Sequence, residues 1–317
     1  MKRIISAALC LLLALTPLNA CSRQGDHNDN GKVSVVATIF APYDFARTIA
    51  GDNVNLTMLL PPGAESHSFE PTPQDIIRIQ ECDVFIYVGG ESDEWVSGVL
   101  ESMDTSNMKI ITLMDCVEVL EEVIVEGMQD DEADFQEEQD DAEYDEHVWT
   151  SPRNAKLIVQ KISEALCEVD PENAATYQAN TTAYLVELDE LDARFQEVVD
   201  NAVRKTLVFG DRFPFRYFAD AYGLTYYAAF PGCSTETEAS AATVAFLIDK
   251  VKAENIPVVF YIELSNPAIA NTIGEATGAQ VRLLHACHNI SRDDFVAGKT
   301  YLELMGANVW ALKEALY

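Results

Sequence analysis

Short apolar runs typical of strands alternate with amphipathic runs from Val33 onward. The pattern predicts strands within residues 33–40, 53–60, 83–89 and 109–114, and again within 206–210, 225–230, 257–263 and 279–284. Helical runs fill the intervals, and Thr72, Pro73 and Asp75 begin one of them as cap, first-turn proline and N-terminal carboxylate. Strands that alternate with helices favour parallel sheets covered on both faces, so we predict an α/β fold.

A long amphipathic segment separates the two halves of this pattern. Asp170 and Pro171 begin a helix that we expect to continue unbroken to about residue 201. One face of that helix carries an apolar stripe: Tyr177, Tyr184, Leu188, Leu191, Phe195 and Val198. We therefore predict an N-terminal lobe (residues 33–169), a rigid linker helix (170–201) and a C-terminal lobe (202–317), each lobe with a mostly parallel sheet flanked by helices.

The first 32 residues carry targeting signals and contribute no core. Lys2 and Arg3 precede an apolar run that is too short for a stable membrane span, which is typical of an export signal over residues 1–20. The stretch "LNAC" looks like a lipobox, which predicts cleavage before Cys21 and lipid attachment to that cysteine. Residues 22–32 have no apolar side chain, so we expect residues 21–32 to form a flexible, lipid-anchored tether outside the bacterial cell membrane.

The chain is strongly acidic, with a formal net charge of −31. This charge argues against nucleic acid and anionic lipid as direct partners and favours cations as ligands. Residues 126–146 of the N-terminal lobe hold twelve carboxylates and no positive charge, without the spacing of an EF-hand. We interpret this segment as a solvated loop, and a weak cation-collecting role is the alternative.

The histidines beyond the tether share one kind of position, just after a predicted strand. All four that lie beyond the tether follow a predicted strand: His67, His147, His285 and His288. Asp211 and Glu263 each end a strand of the C-terminal lobe. Ligands gather at the carboxyl ends of parallel strands, so these side chains share a predicted binding edge. Two histidines from one lobe facing a histidine and a carboxylate from the other would form a four-coordinate site suited to zinc.

Several motifs in the same order resemble one family. The stretches "LLPPGAESHSFEPTPQDIIRIQECDVFIYVGG", "DEHVWTSPRNAKLIVQKISEAL", "SNPAIANTIGEATGAQV" and "GKTYLELMGAN" are similar to the metal-binding lipoproteins of bacterial zinc and manganese ABC importers, the cluster A-I solute-binding family. The resemblance runs from about Val33 to the C-terminus. It implies a monomeric receptor without catalysis that captures a divalent metal outside the cytoplasm and delivers it to a membrane permease.

The resemblance also implies a ligand set. His67 and His147 fall on the first two family ligands, and His288 is our choice for the fourth, with His285 as the alternative. The third position departs from the family in "LVFGDRFPFRYF", where counting from one side gives Asp211 and from the other gives Arg212. We choose Asp211, because a guanidinium stays protonated and cannot bind a metal.

Metal identity follows from the ligand types. Three imidazoles and one carboxylate favour Zn²⁺, whereas more oxygen ligands would favour Mn²⁺. A metal-dependent hydrolase with Glu263 as base, or a surface adhesin with a structural metal, would use the same residues, although no G-x-S-x-G, H-E-x-x-H or P-loop pattern is present. Cys233 and Cys287 could be soft ligands or a disulfide, but we interpret both as inert buried thiols.

Overall fold

The computed structural model describes residues 31–66, 69–128, 143–234 and 238–317. Within it, Val33–Tyr317 form one compact unit. The predicted ligand His67, the predicted lipid site Cys21 and residues 129–142 of the acidic segment lie outside the described residues.

The first sheet has four parallel strands in the order β2-β1-β3-β4. They are β1 (Val33–Ala37), β2 (Val54–Met58), β3 (Val84–Tyr87) and β4 (Lys109–Thr112). The helices of this part of the chain are α1 (Phe40–Ala50), α2 (Pro73–Gln80), α3 (Glu94–Glu101) and α4 (Pro152–Val169). Helix α2 begins where the sequence predicts, because Thr72 and Asp75 form a reciprocal capping box.

Strand β1 is shorter than predicted, because the chain turns into α1 at Phe40. Residues 38–40 are apolar enough to extend a strand, and an apolar run alone does not separate a strand from a buried helix. Pro42 fits the first turn of α1, where its missing N–H is not needed. The backbone N–H of Phe40 donates to the His288 carbonyl at 2.9 Å, which brings this turn against the second half of the chain.

The second sheet repeats the first, with parallel strands in the order β6-β5-β7-β8. Its strands are β5 (Thr206–Arg212), β6 (Thr225–Phe230), β7 (Val258–Tyr261) and β8 (Gln280–Leu283). Between the sheets lies α5 (Ala174–Asp200), and the later helices are α6 (Arg216–Tyr222), α7 (Ala241–Glu254), α8 (Ala268–Thr277), α9 (Arg292–Val296) and α10 (Tyr301–Leu316). The two parallel-sheet lobes confirm the predicted fold class.

The long helix α5 begins at Ala174, four residues after the predicted start. Asp170 instead follows the end of α4, and its carboxylate accepts hydrogen bonds from the Asn173 side chain and the Tyr177 hydroxyl. All six residues of the predicted apolar stripe are buried. They pack against α1, α4 and α10, so the helix joins both lobes to a single hydrophobic core.

Both sheets reverse their strand order at an equivalent point. The reversal lies between β1 and β3 in the first sheet and between β5 and β7 in the second. Such a switch point opens a crevice at the carboxyl ends of the strands, where α/β proteins bind ligands. Among the described residues, no helix combines the length and the apolar character that crossing a membrane requires.

Candidate metal centre

Among the histidines that the structure describes, His147 is the most deeply buried, with no exposed surface. It follows the short antiparallel bridge between Glu121 and Tyr144 and immediately precedes a 3₁₀ turn. One oxygen of Asp145 accepts the His147 backbone N–H at 2.8 Å and lies 3.1 Å from His147 Nδ1. A carboxylate that holds Nδ1–H orients the ring and leaves Nε2 as the nitrogen that can bind a metal.

Negative charge surrounds this histidine. Burial opposes the charged imidazolium, but Asp145, Glu146 and Glu122 outweigh that effect and raise the pKa of His147. Burial also raises the pKa of Glu146 to about 7, against the lowering effects of His147 and of the hydrogen bonds from Ser92. Buried carboxylates around one imidazole favour an added cation, because uncompensated buried charge is costly.

His288 comes from the other lobe and meets His147. The two ring centroids are 4.5 Å apart in an edge-to-face arrangement, and the Trp149 ring lies 4.8 Å from His288. Trp149 Nε1 donates to the Ala286 carbonyl at 2.7 Å, which fixes the loop that carries His288. The structure therefore brings together two of the four predicted ligands, one from each lobe.

Glu263 and His285 make hydrogen bonds within the loop that carries His288. The two oxygens of Glu263 accept the backbone N–H groups of His288, at 2.9 Å, and Ala286, at 2.6 Å. His285 Nδ1 accepts the Cys287 N–H at 3.0 Å. These contacts give Glu263 and His285 supporting roles, and the ring contact with His147 favours His288 over His285 as the ligand.

Asp211, the predicted third ligand, is engaged with the backbone. One of its oxygens accepts the Ile262 N–H at 3.1 Å and the other accepts the Arg212 N–H at 2.8 Å. Burial raises the pKa of Asp211, although these hydrogen bonds lower it. The Arg212 guanidinium donates to Glu65 at 3.0 Å and to the Ser234 carbonyl at 3.2 Å. Metal binding by Asp211 stays a prediction.

Two small cavities, each of about 20 Å³, lie beside His288. Thr38, Val88 and Glu146 line one of them, and Arg212 and Glu263 line the other. Ser66 lines both. Ser66 directly precedes His67 in the sequence, and His67 itself lies outside the described residues.

A thiol that the sequence analysis interpreted as inert lies in the centre. Within the described residues, donor atoms of Glu146, His147 and Cys233 all fall within 4.8 Å of one another. Cys233 and Cys287 are both free, so no disulfide joins them. The signal for Cys233 was available, because "PGCS" directly follows β6 at the carboxyl edge of the sheet, as the histidines follow their strands.

The fold and the meeting of two histidines between the lobes define a class, that of two-lobed solute-binding proteins. A family model described as zinc-uptake complex component A, periplasmic, matches residues 35–315. The chain therefore belongs to this family, which is one of metal-binding transport receptors, and the resemblance seen in the sequence is confirmed.

Relatives of known name and structure agree with this assignment. The chain is 32% identical over 318 residues to the zinc-binding lipoprotein AdcA of Streptococcus pneumoniae, covering 99% of this chain but only 61% of AdcA. It is 29% identical over 311 residues to the high-affinity zinc uptake system protein ZnuA of Bacillus subtilis, covering 98% of this chain and 95% of that protein. The Zn(II)-bound ZnuA-like domain of S. pneumoniae AdcA superposes with a TM-score of 0.74 at 29% identity, over 90% of this chain and 99% of that domain.

Proposed function

We propose that this protein captures Zn²⁺ outside the cytoplasm and delivers it to the permease of an ABC importer. The observation that carries the proposal is the contact of His147 with His288 between the two lobes, ring to ring at 4.5 Å. Buried imidazoles beside carboxylates are a donor set suited to zinc. The zinc-binding relatives AdcA and ZnuA support the same metal.

The four predicted ligands differ in how far the structure supports them. His147 and His288 are supported by their mutual contact, and His67 is supported by the position of Ser66 at both cavities. Asp211 is supported by sequence alone, since both of its oxygens accept backbone hydrogen bonds. We propose zinc over manganese as the cargo, because imidazole-rich sites favour zinc and oxygen-rich sites favour manganese.

The contacts of Glu263 weigh against the hydrolase alternative. A general base needs a carboxylate that can reach a metal-bound water, and both oxygens of Glu263 hold backbone N–H groups of the His288 loop. We therefore propose a receptor without catalysis, and a monomeric one as the family resemblance implies. It is held at the membrane through a lipid on Cys21, as the name of the lipoprotein AdcA suggests.

Several hydrogen bonds join the two lobes around the site. Asp44 of α1 accepts the backbone N–H of Tyr301 in α10 at 2.6 Å, and the Tyr301 hydroxyl donates to the Trp149 carbonyl at 2.7 Å. Asn289 donates to two carbonyls of the loop that precedes His67, each at 2.8 Å. Because these bonds join the lobes around the site, we propose that local loop movement opens it.

Calorimetric titration tests this function. The metal-stripped chain from Ser22 onward keeps the whole compact unit, and we expect it to bind one Zn²⁺ tightly and Mn²⁺ more weakly. A chelator should remove the zinc reversibly without loss of the helical circular dichroism signal. Unfolding on chelation would instead identify a structural metal, and the lack of a tight zinc site would contradict the proposal.

A further inference from the structure

We infer that Cys233 is a zinc ligand and takes the coordination place that the sequence assigns to Asp211. The inference rests on the proposed function, namely that the site of His147 and His288 binds zinc. It adds a thiolate to that site, and Cys233 would then favour zinc over manganese.

The first argument is the position of the thiol. Donor atoms of Cys233, His147 and Glu146 lie within 4.8 Å of one another. Among the described residues this group includes neither Asp211 nor His288, and His288 instead contacts His147 through its ring. Sulfur and nitrogen ligands of a tetrahedral zinc lie about 3.5 Å apart, given Zn–S and Zn–N bonds of about 2.3 and 2.0 Å. A contraction of at most about 1.3 Å therefore brings Cys233 and His147 onto one metal.

The second argument is that several contacts hold the Cys233 loop against His147. The Glu122 carboxylate accepts the backbone N–H of Gly232 at 2.7 Å and also that of Cys233, which holds the loop after β6 against the first lobe. A Cβ at Gly232 would lie only 3.0 Å from His147 Cε1. Glycine at this position therefore allows the loop to pack directly on the imidazole, with Cys233 as the next residue.

The third argument concerns Arg212, which occupies the neighbouring position in place of a ligand. Its guanidinium donates to the carbonyl of Ser234, the residue after Cys233, and pairs with Glu65 from the other lobe. The Cys233 loop is thus held from both sides, by Glu122 before the thiol and by Arg212 after it. An arginine that cannot bind a metal instead fixes the loop that supplies one ligand.

Other roles for this thiol fit the structure less well. Cys233 is a free thiol, so a structural disulfide is not its role. Glu146 is the other donor of the group, but its carboxylate accepts hydrogen bonds from the backbone and the hydroxyl of Ser92. Cys233 is therefore the donor of the group that suits a soft metal, and thiolate ligation favours zinc over manganese.

Cobalt substitution tests the inference with a readout that only a thiolate ligand produces. One equivalent of Co²⁺ added to the metal-stripped chain from Ser22 onward should give near-ultraviolet sulfur-to-cobalt charge-transfer absorption. We expect Cys233→Ala to lose this absorption and to bind Zn²⁺ at least about a hundredfold more weakly, since even residues behind a ligand contribute roughly 10- to 100-fold. Cys287→Ala, which removes another buried thiol of the same lobe, and Asp211→Asn should both keep the absorption.

The outcomes separate the two proposals. Tight cobalt and zinc binding without charge-transfer absorption, or with absorption that survives in Cys233→Ala, would overturn ligation by Cys233 and leave the receptor function intact. A wild-type chain that binds neither metal would overturn both. Circular dichroism of the metal-free Cys233→Ala protein checks its fold. A second variant, Cys233→Asp, should bind cobalt without the charge-transfer absorption. Its ratio of zinc affinity to manganese affinity should be smaller than that of the wild-type chain.

Discussion

Replacement of His147 by alanine is expected to weaken zinc binding on the order of a thousandfold or more. The imidazole is fully buried, it touches His288 of the other lobe, and Asp145 orients its ring. Removing it takes away a ligand and also leaves the surrounding carboxylates facing one another. Loss of a residue that only orients a ligand costs about 10- to 100-fold, so loss of the ligand itself should cost more.

Competition of each variant with a zinc-binding dye measures this effect. Asp145→Asn keeps the ligand but weakens its orientation, so its affinity should fall between wild type and His147→Ala. His285→Asn is the matched control, because asparagine can still offer an acceptor to the Cys287 N–H. Wild-type affinity in His147→Ala, or an equal loss in His285→Asn, would contradict the assignment of His147 and His288.

Replacement of Trp149 by alanine is expected to lower the free energy of unfolding by about 4 to 5 kcal/mol. The side chain has no exposed surface, and truncation of a buried aromatic ring costs about 3 to 5 kcal/mol. The Ala286 carbonyl also loses its indole N–H donor, a cost of about 1 to 3 kcal/mol when the acceptor stays buried. The two costs overlap, because the cavity can admit water to the carbonyl.

Urea denaturation of the metal-free protein, followed by circular dichroism, measures this loss. Trp149→Phe keeps most of the side-chain volume, so its free energy of unfolding should fall by only about 1 to 2 kcal/mol, chiefly because the hydrogen bond to Ala286 is lost. Trp310→Ala is the control, since that ring is 67% exposed and surface substitutions stay within about 0.5 kcal/mol. Equal midpoints for Trp149→Ala and Trp310→Ala would show that Trp149 does not pack as described.

The sequence predicted the architecture well because the fold depends on regular patterns. Alternating apolar runs identify every strand of both sheets, and the spacing of Tyr184, Leu188 and Leu191 identifies the buried face of α5. Boundaries were less accurate at Asp170 and Phe40. Side-chain hydrogen bonds to Asp170 and a backbone hydrogen bond between the lobes at Phe40 accompany these ends, and neither leaves a periodic signal.

The site was predictable in part, for a related reason. Position at the carboxyl end of a strand was enough to select His147 and His288, which the structure brings into contact. It did not distinguish a carboxylate that can face a metal from one that holds backbone N–H groups, as Asp211 and Glu263 do. Cys233 also follows a strand, but the sequence alone does not show that Gly232 packs against the His147 imidazole.

The most direct test is the structure of zinc-loaded crystals of the chain from Ser22 onward, with anomalous diffraction recorded at the zinc edge. We expect a single zinc between the lobes, bound by the imidazoles of His147 and His288 and by Cys233 Sγ at about 2.3 Å. A zinc bound without either histidine would contradict the central claim that the protein captures zinc at the meeting point of its two lobes.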